Sequence, residues 1–239
     1  MNDNSIILTR KIQLIIDSEN KQFIHQTYET LYQWQHICFR AANYIFTHRF
    51  LQEQVKELIY FTEEIRVKLA DITKDTEGIL TTSKLNSVQR LLSKQFKGQI
   101  PIHILSSLNM TLARHFNNEK IAYINGERTL RNYKRDMFIP FRGTDITNLR
   151  RSDDGKYFRL TLFQIPFRTY LGRDFNDKRQ LLEKILTGEI KLCSSSLKLE
   201  GNKIFLLAAF RIEKDRHLLD SSVIAEASLS LDYPIIVKI

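Results

Sequence analysis

From Ile24 onward, apolar side chains return every three or four positions, through Tyr28, Leu31, Trp34, Cys38, Ala41 and Ile45. Only an α-helix brings that spacing onto one face, so the stretch is expected to be a long amphipathic helix. The same spacing resumes at Leu51, Val55, Leu58, Ile65 and Leu69, with polar Thr62 interrupting it, and predicts a second helix. Leu85, Val88, Leu92 and Phe96 predict a third. Pro101 suits the first turn of a fourth, which places Ile104, Leu108, Leu112 and Phe116 on one side.

Strand-like sequence lies on both sides of this helical block. Ser5 to Asp17 is rich in isoleucine and leucine, and polar Ser18-Glu19-Asn20 ends it. Beyond Asn117, Ile121 to Ile124 and Met137 to Phe141 are expected as short strands. Asp153-Asp154-Gly155-Lys156 reads as a turn leading into a strand over Tyr157 to Phe163. Asn176 is placed to cap a helix running to Leu186 and closed by Gly188. Lys191 to Glu200 and Lys203 to Arg211 flank Gly201-Asn202, a pair suited to a primed hairpin turn. Val223 to Leu231 and Ile235 to Ile239 complete the strands around Asp232-Tyr233-Pro234. The order predicts an α+β protein, with a helical lobe inserted into an antiparallel β-barrel or sheet that the first strand completes. The last strand reaches Ile239 without a polar tail, as expected of a chain cut short.

Composition narrows the partners. Lys and Arg number 36 against 27 Asp and Glu, a formal charge of +9, which suits a polyanion: nucleic acid before an acidic membrane surface. With only two cysteines, Cys38 and Cys193, a disulfide framework is not expected, and a reducing compartment is. Met1-Asn2-Asp3-Asn4 does not begin a signal peptide, and no apolar run approaches the roughly 18 residues of a membrane span. The expectation is a cytoplasmic protein with no membrane partner.

The charge is concentrated. Between Glu127 and Arg151 stand Arg128, Arg131, Lys134, Arg135, Arg142, Arg150 and Arg151, against Glu127, Asp136 and Asp145. Tyr133, Phe138 and Phe141 are interleaved, and Phe158, Phe163, Arg168, Tyr170 and Arg173 follow. Phosphates need cations and unstacked bases need flat faces, and this stretch carries both. Arginine predominates, and its planar fork grips phosphate better than a lysine point charge. The expected nucleic-acid-binding set is Arg128, Arg131, Tyr133, Lys134, Arg135, Arg142, Arg150, Arg151, Arg168 and Arg173, converging into a cradle. The plainer alternative is a solvated basic loop whose aromatics turn into the sheet.

Motifs for other chemistry are missing. His25, His36, His48, His103, His115 and His217 form no HExxH, and no Cys-x-x-Cys accompanies them, so neither metal nor cofactor is expected. Ser194-Ser195-Ser196 lacks a nucleophile elbow, and Asp153-Asp154 is better explained by its turn.

Four stretches together resemble one family. They are Gly126 to Asp136, Met137 to Phe141, Lys191 to Ser196 with its hairpin, and Val223 to Pro234. In this order they are similar to the amino-terminal half of the TnpB and type V CRISPR effector RNA-guided nucleases. That resemblance implies a first barrel strand over 1–17 and a recognition-like helical lobe over 18–118. The rest of a wedge-like barrel would cover 119–220, and the start of a RuvC-like segment 221–239. It also implies a guide-like RNA partner, with DNA as a further target, the basic tract touching the backbone while base pairing reads sequence. The family's first nuclease strand carries an aspartate where this chain has Ser228. Serine is a poor Mg²⁺ ligand, so no catalytic residue is expected and the chain is read as holding nucleic acid without cutting it. The alternatives are a nuclease completed by further sequence or another chain, and a basic protein-interaction scaffold.

Overall fold

The computed structural model describes residues 5–58, 83–172, 176–213, 226–228 and 236–238. Asn20 opens α1 (Lys21–Leu58), its Oδ1 accepting from the amides of Gln22 (2.9 Å) and Phe23 (3.2 Å). The expected division into two helices near residue 50 does not occur. No Gly or Pro interrupts the sequence there, and the buried stripe continues through Phe46, Arg49 and Glu53. Ile65 and Leu69 lie outside the described residues. Ser83 caps α2 (Lys84–Gln95) by accepting from the Asn86 amide at 3.2 Å. Pro101 precedes α3 (Ile102–Ile124), as its sequence position predicts.

Residues 121–124 correct a strand expectation: they form the last turn of α3. Tyr123 sits two turns beyond Phe116, on the same helical face, and its ring lies 5.7 Å from Phe116 and 6.3 Å from Phe46. Four apolar-leaning residues are too few to separate the two periodicities, and packing against α1 decided for the helix.

The strands are β1 (Ser5–Ile16), β2 (Ile139–Phe141), β3 (Ile146–Arg151), β4 (Phe158–Leu162), β5 (Ile165–Tyr170), β6 (Lys191–Leu192), β7 (Ser195–Glu200) and β8 (Lys203–Glu213). They make one antiparallel sheet in the order β2-β7-β8-β1-β5-β4-β3, with β6 also on β8. The first strand is therefore central, and the helical block is inserted directly after it. The sheet does not close into a barrel, which narrows the sequence expectation to a sheet. One edge strand still curls over the inner face toward the β4–β5 turn. Phe141 of β2 meets Phe163, between β4 and β5, at 6.4 Å, and Trp34 of α1 packs edge-on against Phe163 at 5.7 Å. Strand β8 joins β7 through Gly201-Asn202 as the turn signal predicts, with positive φ at Gly201.

Ile12, Leu14 and Ile16 of β1, Phe158 and Leu160 of β4, and Leu206 and Phe210 of β8 all face inward. They merge with the stripes of α1, α2 and α3 into one apolar cluster. Cys38 belongs to it, and burial pushes its thiol up to about 12. Cys193 is half-buried, and both cysteines are free. Helix α4 (Asn176–Leu186) ends at Gly188, whose φ of +79 is the left-handed conformation that favours glycine. Short strands β9 (Glu226–Ser228) and β10 (Ile236–Lys238) pair with each other, and the remainder of the two expected terminal strands lies outside the described residues. Among the described residues no helix is long and apolar enough to cross a membrane.

Candidate nucleic-acid interface

The basic tract begins in the loop after α3, and its arginines divide among several settings. Arg131 grips Glu119 of α3 through two bonds, Nε to Oε2 at 2.7 Å and Nη2 to Oε1, while Arg128 Nη1 approaches Oε1 to 3.1 Å. Tyr123 also donates to this carboxylate. The Arg131 and Tyr123 hydrogen bonds hold Glu119 well below the usual carboxylate range, at about 2. Two arginines thus share one negative charge. Lys134 and Arg135 stand exposed beside them, with no carboxylate partner among the described residues.

Tyr133 turns inward and corrects the expectation of a stacking face. Its amide donates to Asn43 Oδ1 at 2.9 Å, its ring meets Phe46 edge-on at 5.1 Å, and burial pushes its phenol up to about 12. Phe141 and Phe158 are fully buried, as the plainer alternative held. Phe138 remains exposed, with Lys198 Nζ 5.7 Å from its ring centre. An open groove of about 440 Å³ is lined by Arg128, Arg131, Lys134, Phe138 and Lys198.

Arg142 serves the local turn: its guanidinium bonds Asp145 at 3.0 Å and His103 at 2.7 Å. Arg150 and Arg151, adjacent on β3, point to opposite faces. Arg151 reaches Glu183 of α4 at 3.4 Å. It also lies so close over Gly155 that a Cβ there would sit 2.6 Å from its Nη2. Arg173 lies outside the described residues. The residues of 128–151 therefore do not make one cradle, because Arg142 and Arg151 are engaged by carboxylates that fix the fold.

Strand register produces a different grouping. Arg168 of β5 is directly opposite Arg159 of β4, and Arg159 is directly opposite Arg150 of β3. Partners in register share a face, and the neighbours Phe158, Leu160 and Phe167 are buried, so all three arginines stand on the outer side of the sheet. Arg159 has Asp17 at 3.0 Å, although its Nε lacks hydrogen-bond geometry to it. Arg168 and Arg150 have no carboxylate partner among the described residues. The Arg159 and Arg168 guanidinium carbons lie 5.6 and 5.9 Å from the Tyr157 ring centre, which orients both.

The next outward row runs Lys198, Phe205, Gln13, Tyr170 across β7, β8, β1 and β5. Lys11 adds its ammonium 3.9 Å over Phe205, and Glu200 engages both Lys11 (2.8 Å) and Lys198 (2.6 Å). Lys198 thus belongs both to the loop groove and to the sheet's outer face. From Lys198 on β7 to Arg150 on β3 is five strand spacings, about 24 Å around the sheet. Sequence reasoning named Arg150 and Arg168 but missed Arg159, Lys11, Lys198 and Phe205. The signal that could have found Arg159 is the hairpin register.

Ser228 is exposed on β9 opposite Ile236. Among the described residues no group of three or more His, Cys, Asp or Glu is placed to hold a metal ion. Compared with known proteins, the chain matches no protein-family model and no curated protein.

Proposed function

We propose that this protein binds nucleic acid, holding a guide-like RNA strand against the outer face of its sheet and the loop after α3. The observation that carries this reading is the row of Arg150, Arg159 and Arg168 on three neighbouring strands. Like charges directly opposite one another destabilise a sheet. Three arginines with one carboxylate among them make sense when an outside polyanion supplies the missing negative charge. The exposed Tyr170 in the adjoining row favours nucleic acid over a plain acidic surface, since bases stack on rings while carboxylates do not. The role is holding rather than cutting, as in the RNA-holding half of the TnpB-like nucleases, with DNA as a further target. Serine at position 228 supports that reading.

The test is direct. The protein is purified at low salt, its absorbance at 260 nm read, and labelled single-stranded RNA titrated with anisotropy detection. The proposal expects copurified nucleic acid and affinity that falls steeply as salt rises. Absence of RNA binding at low salt, or binding indifferent to salt, would remove it.

A further inference from the structure

Beside Arg168, a pocket of about 540 Å³ opens between the turn joining β3 to β4, the end of β5 and the first half of α4. That size is in the range of small-ligand sites. Ile15, opposite Arg168 in register and so on the same face, lines it together with Thr169 and Leu171. Tyr157 and Tyr170 line it as well, and its charged residues are Lys156, Arg168 and Arg179 against the single carboxylate of Asp154. The two rings are differently employed. Tyr157 is covered by Arg159 and Arg168, whereas Tyr170 is 56% exposed. The cations also differ: Arg179 bonds Glu183 at 3.2 Å and Lys156 lies 3.9 Å from Asp154, but Arg168 has no carboxylate partner among the described residues.

A site for phosphate alone needs cations and no rings, and one for an apolar side chain needs rings and no cations. This pocket sets an open ring face and an uncommitted guanidinium on alternate residues of one strand, about 7 Å apart, beside the apolar side chain of Ile15. A nucleotide presents the same pair of features, a flat base and a phosphate. We infer that the pocket takes one unpaired nucleotide of the bound strand, its base against Tyr170 and its phosphate at Arg168. This rests on the proposed function and adds to it that the strand is single at this point, because a duplex keeps its bases stacked inside and has none to offer.

The experiment compares single-stranded RNA of about 12 nucleotides with a duplex of equal length, on the full chain and on Tyr170→Leu and Tyr170→Phe. Thermal melting of each variant checks folding, which an exposed side chain is not expected to disturb. The expected result is tighter binding of the single strand, weakened roughly 10-fold by Tyr170→Leu and preserved by Tyr170→Phe, with duplex binding the same in all three proteins. Adenosine monophosphate should compete for the single strand better than adenosine or inorganic phosphate. If RNA binds but Tyr170→Leu leaves single-strand affinity unchanged, the pocket inference is overturned and the outer-face reading stands. If neither RNA binds, the outer-face reading fails and the pocket inference falls with it.

Discussion

Replacing Arg150 and Arg168 together with alanine should separate RNA grip from fold stability. Among the described cations of the interface, Lys134, Arg135, Arg150 and Arg168 lack a carboxylate partner, so their full charge is available to phosphate. Each phosphate met by a cation on a single strand contributes about 0.7 to the slope of log affinity against log salt. Four such contacts give a slope of about −2.8, and affinity should fall about 50-fold between 50 and 200 mM salt. The double variant keeps two of the four, so its slope should be about −1.4 and the same salt step should cost only about 7-fold. Stability should move the other way. Both substitutions remove a guanidinium standing opposite Arg159, and relief of opposed like charges is worth a few tenths of a kcal/mol up to about 1. Fluorescence anisotropy at several salt concentrations gives the slopes, and urea denaturation gives the stability. Equal slopes in the two proteins, with both folded, would refute the assignment of these arginines to RNA.

Other expectations concern the scaffold. Glu53, 7% exposed, holds Lys84 at 2.9 Å and lies beside buried Arg49, whose pKa burial lowers and Glu53 raises. Glu53→Ala strips these cations of their counter-charge and should cost about 3 kcal/mol or more in urea denaturation, and a loss below about 1 would refute the pairing. At Gly143 an added Cβ would sit 2.0 Å from the Leu192 carbonyl oxygen, so Gly143→Ala must push β6 away and should lower the melting temperature measurably. Glu119 titrates at about 2 in the fold against an ordinary value of 4.5, because the Arg131 and Tyr123 hydrogen bonds favour its ionised form. Its contribution to stability is complete above pH 4.5 and disappears as pH falls toward 2. Glu119→Gln should therefore be less stable than the parent at pH 6, with the gap closing across that acid window.

The helices were legible because their spacing spans many turns, and what was misjudged was the join near residue 50 and the last turn of α3 over 121–124. β1 and the β7–β8 hairpin were legible through composition and Gly201-Asn202. β3 and β5 were not. β3 carries a register shift between Thr147 and Arg150, with Asn148 at φ 53, and Pro166 sits inside β5, so neither presents a clean alternation. The turn joining β4 to β5 hid the site itself. Phe163 and Gln164 both adopt positive φ, 51 and 68, in a two-residue loop that Gly, Asn or Asp usually fills. Phe163 is retained there because its ring is wedged between Trp34 and Phe141. Had that turn been recognised, pairing Leu162 with Ile165 would have placed Arg159 opposite Arg168 by counting alone. Charge density along the chain located the basic loop, but only cross-strand neighbourhood reveals the arginine row.

The central place of β1 also governs how the protein can be made. Its pairing with β8 matches Ser5 to Glu213, so the first strand synthesised waits for almost the last described segment of the sheet. At translation rates of about 5–20 residues per second, that interval is about 10–40 s. During it the helical block can assemble, but β1 has neither flanking partner, since β5 also arrives late. A nascent chain halted before β8 emerges would present an unpaired apolar strand, open to chaperones or to another copy's edge. The surface proposed to meet RNA would not be complete until β8 had emerged.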